Sequence, residues 1–446
     1  MNRVYLTDTT FRDAQQSMLA TRLTTEELLS IAGDMNRVGF YAMEVWGGAT
    51  FDACLRYLNE DPWLRLRAIK EKVKDTKASM LLRGQSLLGY QHYPDDIVEK
   101  FITYAYNNGI NIFRIFDVLD DFRNLELPVK AAKKVGANVQ GQILYTKSPI
   151  HSIEKYVELA LELEKMGVDA IVFEDMAGLM SPFDAEKLCV SLLPELKVPL
   201  FLHCHSTSGM AMMTYLKAVE SGVRYLDTAM SPLAMGTSNP ATETMVAALK
   251  DSMYDTRLDL ELLKIINEKL YTVLEGHNSI PNRFLQVDVN VLTYQIPGGM
   301  LSNLYAQLQQ YNATDKFQQV LDEVPRVREE LGYPPLATPA SQFVGAQAAN
   351  NVLSGERYKI IPKEVKNYIR GFYGKPPGEI DPKVMKKAIG DEEPITCRPA
   401  DLFEPAWDKI RAELDSSLVE KEEDYLTYAM FPQVARDFFE KRKGSI

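Results

Sequence analysis

The sequence predicts an α/β fold: a TIM (β/α)8 barrel followed by a mainly helical C-terminal domain covering the barrel mouth. Three observations carry that expectation: an eightfold strand-helix recurrence, helix punctuation that matches it, and a break in the cadence past Ala248. The recurring unit is about thirty residues, a short apolar run ending in polar residues and then a helical stretch. The runs are Val4 to Asp8, Tyr41 to Trp46, Ala78 to Arg83, Ile112 to Asp117, Val139 to Tyr145, Ala170 to Asp175, Leu200 to His205 and Tyr225 to Thr228. In a barrel of this kind chemistry gathers at the C-terminal ends of the strands. Asp8, Arg83, Asp117, Glu174, His203, His205 and Asp227 are therefore expected at one mouth.

The helices follow in order. Thr24 and Glu27 have capping-box spacing, Leu28, Ile31, Ala32, Met35 and Val38 repeat with helical period, and Gly39 is a C-cap. After the sixth strand Ser181 can cap, Pro182 suits the first helical position, and Leu188 and Leu192 continue the buried stripe. Gly109, Gly136, Gly167 and Gly222 each stand shortly before a strand, where an αβ loop wants positive φ. Beyond the cadence, Ile296 to Leu304, Val320 to Leu331 and Lys363 to Tyr373 read as helices broken by Pro334, Pro335, Pro376 and Pro377. The division expected is residues 1–290 for the barrel and 291–446 for the helical domain, with Lys375 to Pro394 as an extended connection to a terminal helical piece.

Composition narrows the function. A chain of 446 residues, 46% hydrophobic and 25% charged, buries a large core. A net charge of −11 argues against a nucleic-acid surface, which needs clustered Lys and Arg. The four cysteines lack CxxC spacing, as in reduced thiols of a cytoplasmic protein. The first strand begins at once, which speaks against a signal peptide, and no apolar run approaches the roughly 20 residues of a membrane span.

The most specific chemical feature is His203-Cys204-His205. Alternate side chains of a strand share a face, so the two imidazoles point together toward the barrel axis while Cys204 points away. Such a pair suits zinc, manganese or cobalt, against the plainer alternative of two satisfied polar histidines. A metal so held also wants a carboxylate. Asp8 and Asp13 in DTTFRDAQQ and Glu174 and Asp175 in VFEDMAG are the candidates, each otherwise a loop cap or an ion-pair partner. Arg83 could bind a substrate carboxylate, stabilise an enolate, or pair with a neighbouring acid, and the pattern leaves these open.

The motifs DTTFRDAQQSMLATR, EVWGGATFD, LLRGQSLLGY, RIFDVLDD, HCHSTSGMA, DTAMSPLAMGTSNPATE, IPGGMLSNL and EVPRVREELGYPPLATPASQFVGAQA resemble the carboxyltransferase component of biotin-dependent enzymes. That family includes pyruvate carboxylase, the oxaloacetate decarboxylase alpha subunit and the carboxyltransferase subunit of methylmalonyl-CoA:pyruvate transcarboxylase, the last being the nearest in arrangement. The resemblance implies reversible carboxyl transfer between carboxybiotin and pyruvate, giving oxaloacetate, and a helical domain forming a funnel into the mouth. Asp13, His203 and His205 match the metal ligands, and Gln16, Arg83 and Tyr90 match groups that hold the keto acid. Thr338, in TPAS, matches the hydroxyl that passes a proton between biotin and pyruvate, and Ser341 lies with it at the biotin site.

Two departures stand out. Where the family carries a carboxylated lysine before DMAG, this chain has Glu174, whose oxygens fall short by roughly 3 to 4 Å. Either the metal shifts, a water bridges, or three protein ligands remain with Glu174 behind them, and weakened activity is expected. The site would also assemble without carbon dioxide. Gln15 replaces a histidine of the commoner motif, and Gln342 stands where some members carry lysine. No biotin-attachment sequence appears, so biotin is expected on a separate carrier subunit, with a homodimer or larger complex. The alternatives are a biotin-independent aldol or Claisen-type lyase or synthase on the same barrel, and a catalytically silent assembly subunit.

Overall fold

The computed structural model describes residues 2–278 and 285–444. Eight parallel strands close in sequence order, with β8 pairing back onto β1. They are β1 (Tyr5–Asp8), β2 (Ala42–Trp46), β3 (Lys77–Leu82), β4 (Ile112–Phe116), β5 (Asn138–Leu144), β6 (Ala170–Asp175), β7 (Leu200–Cys204) and β8 (Tyr225–Thr228). All eight predicted runs are strands, displaced by no more than a residue at either end. His205 falls just outside β7, although its N–H still donates to the Asp175 carbonyl at 2.9 Å. The next amide, Ser206, turns instead to the Ser238 carbonyl at 2.7 Å, which ends the ladder there.

The helix signals act as anticipated. Thr24 and Glu27 form a complete capping box on Thr25–Val38, and Ser181 accepts from the Asp184 amide with Pro182 at the first position of Pro182–Leu192. Register then sets the barrel interior: Glu174 pairs with His203 between β6 and β7, and Arg114 with Gln140 between β4 and β5. At the opposite end Tyr5, Tyr41, Phe201 and Tyr225 stack into a plug, with Phe201 and Tyr225 centroids 4.3 Å apart.

Two hydrophobic clusters organise the rest. The helical region packs on the mouth: Ile296, Met300, Leu304, Val324, Phe343 and Tyr368 share one cluster with Phe116 at the end of β4 and Leu144 at the end of β5. Arg328 fastens the same contact, donating to the Thr146 hydroxyl at 2.8 Å and the Lys147 carbonyl at 3.2 Å. The last helices behave differently. Trp407, Leu426, Phe431 and Phe439 belong to the barrel cluster, Phe51 stacks on Phe431, and Trp63 Nε1 donates to Thr427 Oγ1 at 3.0 Å. The terminal piece is thus seated on the barrel flank. The connection expected to be extended contains a helix, Pro382–Ile389. Asp381 caps it, Pro382 has φ preset for its first position, and Val384, Ala388 and Ile389 bury one face, so proline here starts a helix rather than preventing one.

Candidate active site

Past β1 the chain turns through Thr10–Ala14, which brings Asp13 back over the mouth toward the end of β7. Asp13 Oδ2 lies 3.2 Å from His205 Nε2 and 3.5 Å from His203 Nε2, and the two Nε2 atoms are 3.1 Å apart. Among the described residues these are the three His, Cys, Asp or Glu side chains whose ligand atoms converge, all within 4.8 Å of one another. The far side of each imidazole is engaged: Nδ1 of His203 donates to Asp227 at 2.8 Å and Nδ1 of His205 to the Thr237 carbonyl at 2.6 Å. A carbonyl can only accept, so Nδ1 of His205 carries a proton and Nε2 is the nitrogen that faces the cluster. Arg12 holds Asp13 Oδ1 at 2.9 Å, which leaves the buried Oδ2 with no hydrogen-bond partner beyond the imidazoles it faces. Two nitrogens and one carboxylate oxygen aimed at one point fit a divalent ion of the zinc, cobalt or manganese type.

Electrostatics point the same way. Burial opposes a charge on Asp13, but Arg12 and His205 hold its carboxyl well below the usual range. Burial likewise opposes a charge on His203, yet the carboxylates of Asp13 and Asp227 push it up to about 10. Below that value a cation must displace the His203 proton, so metal affinity should rise with pH by about tenfold per unit and flatten above it. Calorimetric titration in buffers of different ionisation enthalpy should register about one proton released per ion at neutral pH.

The other carboxylates separate by role. Asp8 accepts from the Thr10 amide and hydroxyl, and burial pushes it up to about 8. Asp175 caps the amides of Leu179 and Met180, and Asp117 those of Leu119 and Asp121. These three are loop caps. Glu174 accepts from Gln142 Nε2 on the neighbouring strand, and its other oxygen stays 3.9 Å from His203 Nε2. It faces the cluster without joining it, and burial raises its pKa.

A cavity of about 200 Å³ opens above the cluster. Asp13, Gln16, Arg83, Glu174 and His205 line its barrel side, and Thr338 and Ser341 its helical side. His203 sits beneath, 1% exposed. Tyr90 does not line this cavity. It is 41% exposed, borders a neighbouring groove with Gln342, and carries the Arg83 guanidinium 5.3 Å from its ring centroid. Arg83 donates to the carbonyls of Leu88 at 3.0 Å and Gly89 at 2.6 Å, not to an acid as one sequence alternative had it.

Sequence reasoning passed over Arg12, Glu44, Arg114, Gln142 and Gly48. Arg12 Nη2 bonds Glu44 at 2.8 Å, so a glutamate on β2 braces the arginine that braces Asp13. The signal was present: Glu44 and Arg114 are charges inside strands, which a buried interior admits when paired. Gly48 has no such signature. A Cβ there would lie 2.8 Å from Arg83 Nη2 and 2.9 Å from the Leu88 carbonyl, so Gly48→Ala should displace Arg83. The expected loss is about 10- to 100-fold in kcat/KM for the keto acid with metal content unchanged, read by steady-state kinetics beside elemental analysis.

Comparison with known proteins adds an independent line. A family profile described as a conserved carboxylase domain matches residues 291–445, and an HMGL-like profile matches residues 116–269. The chain is 58% identical to one of the subunits of pyruvate carboxylase from Methanocaldococcus jannaschii, over 98% of this chain and 77% of that protein. It is 43% identical to the methylmalonyl-CoA carboxyltransferase 5S subunit of Propionibacterium freudenreichii subsp. shermanii, over 98% of this chain and 88% of that protein. Among solved structures, the carboxyl transferase domain of Rhizobium etli pyruvate carboxylase with pyruvate and biocytin superposes with a TM-score of 0.93 at 33% identity, covering 99% of this chain and 78% of that one.

Proposed function

Because the chain belongs to the carboxyltransferase family of biotin-dependent enzymes, which move a carboxyl group between biotin and a keto acid, we propose that its keto acid is pyruvate, interconverted with oxaloacetate. One observation carries the reading: Asp13 and His205, with His203 beneath them, share a single cavity with Arg83, Gln16 and Thr338, so the metal cluster and the groups that would act on the keto acid and biotin meet in one place.

A divalent ion held by Asp13, His203 and His205 would supply Lewis acidity that polarises the keto-acid carbonyl. Arg83 and Gln16 then hold the keto acid and face the oxygen on which enolate charge develops, inside a site where such contacts are strong. Burial lowers the pKa of Arg83, and the group stays cationic at any working pH. Thr338 transfers the proton. When pyruvate gives up a methyl proton, the hydroxyl accepts it and donates its own to the biotin ring nitrogen as the bond from that nitrogen to the carboxyl group breaks, and the methyl carbon takes the released carboxyl group. Ser341, in the first turn of Ala340–Ser354, lies beside it for the biotin. Tyr90, stacked under Arg83, acts on the keto acid through that arginine. Glu174 stays behind the ligands, tied to Gln142.

Residues 1–290 would carry the carboxyltransferase barrel and residues 291–446 the helical domain, whose first helices form the funnel over the mouth while its last helices rest on the barrel flank. Biotin would arrive on a separate carrier subunit, in an assembly of at least two chains, a reading supported by the two relatives being subunits of larger enzymes. No helix among the described residues is long and apolar enough to cross a membrane. The unpaired cysteines suit a cytoplasmic setting. The test is direct: purified protein with oxaloacetate and free biotin should release pyruvate faster than metal alone does, and no acceleration with zinc, cobalt or manganese would count against the reading.

A further inference from the structure

We propose that Asp227, braced by Arg114 across the barrel interior, is the positioning residue that turns His203 into a metal ligand. This rests on the metal-site reading above and concerns a residue that touches neither ion nor substrate. β4 and β8 stand opposite each other in the closed ring of eight, and Arg114 reaches across from one to the other. Its Nη1 bonds Asp227 Oδ2, its Nη2 lies 3.3 Å from Oδ1, and its Nε donates to Gln140 at 3.1 Å. Asp227 Oδ2 accepts from His203 Nδ1 as well. Arg114 is 2% exposed and Asp227 fully buried, so neither can exchange its partner for water.

The geometry has two consequences. With Nδ1 donating to a fixed carboxylate, the His203 ring cannot flip, and Nε2 is the nitrogen left facing Asp13 and His205. The carboxylate also lends electron density to the ring, which strengthens the ligand. Arg114 fixes Asp227 in turn. Without Asp227, a buried guanidinium would sit near the cluster uncompensated and repel the incoming cation.

The test uses the full chain, zinc competed against a chromophoric chelator, and proton NMR of protein labelled with [15N]histidine, whose five histidines make assignment tractable. Asp227→Asn should weaken zinc binding by about 10- to 100-fold. The exchange-protected Nδ1 proton of His203, expected far downfield beside the carboxylate, should move upfield or vanish by exchange. Should that variant not fold, Arg114→Met with Asp227→Leu removes the whole buried pair, a replacement that is often neutral or stabilising, and the same two changes are expected. Asp117→Asn, a buried loop cap away from the histidines, should alter neither. Unchanged zinc affinity and an unmoved Nδ1 resonance in a folded Asp227 variant would overturn the proposal. Wild-type protein that binds no zinc would instead sink the metal-site reading, and the Nδ1 resonance would still decide whether Asp227 orients His203.

Discussion

Replacing His205 by alanine is expected to strip the metal and lower carboxyl transfer by about 10³-fold or more. Its Nε2 closes the triangle with Asp13 Oδ2 at 3.2 Å and His203 Nε2 at 3.1 Å, and its Nδ1 is committed to the Thr237 carbonyl. The neighbouring carboxylates are engaged elsewhere: one Glu174 oxygen is bonded to Gln142, and Asp8 and Asp175 are spent on loop amides. Two ligands alone bind a divalent ion weakly. Elemental analysis of the purified variant should give metal near zero, and the fold should survive, because His205 lies beyond the end of β7 and outside both hydrophobic clusters. A variant that keeps its metal and its rate would remove His205 from the site.

Thr338→Ala is expected to lower transfer between biotin and pyruvate by about 10²- to 10⁴-fold, the range for a positioned proton-transfer group, while leaving metal content and keto-acid binding intact. The residue lies on the helical side of the cavity, opposite the metal cluster, and contributes nothing to the ligand set. The measurement that separates its role from packing is Thr338→Ser, which restores the hydroxyl without the methyl and should recover most of the rate. Equal losses in the alanine and serine variants would assign Thr338 to shape rather than proton transfer.

The barrel was legible because its signals are local. Strand length, the capping box at Thr24 and Glu27, Pro182 at a helix start and positive φ at Gly109 or Gly167 each depend on a few neighbouring residues. The terminal helices were not. Their amphipathic faces could have packed on the helical region, and the choice of the barrel flank came from Trp63 and Phe51 meeting Thr427 and Phe431 across more than three hundred positions of chain.

The candidate site divides in the same way. His203 and His205 stand two positions apart in sequence, and period-two geometry puts both rings on one face, so the sequence by itself determined that two imidazoles stand together at the mouth. Motif resemblance singled out Asp13 among the candidate carboxylates, gave Arg83 to the keto acid, and added Thr338. Only the tertiary structure decided which carboxylates serve the cluster and which serve loops, since Asp8, Asp13, Asp175 and Glu174 look alike along the chain and differ in the partners that reach them. It also decided that Arg114 and Asp227, on opposite strands of the ring, lock the His203 ring from behind. Periodicity records which way a side chain points; what it meets there depends on closure of the barrel, which brings the ends of eight separate strands within hydrogen-bonding distance.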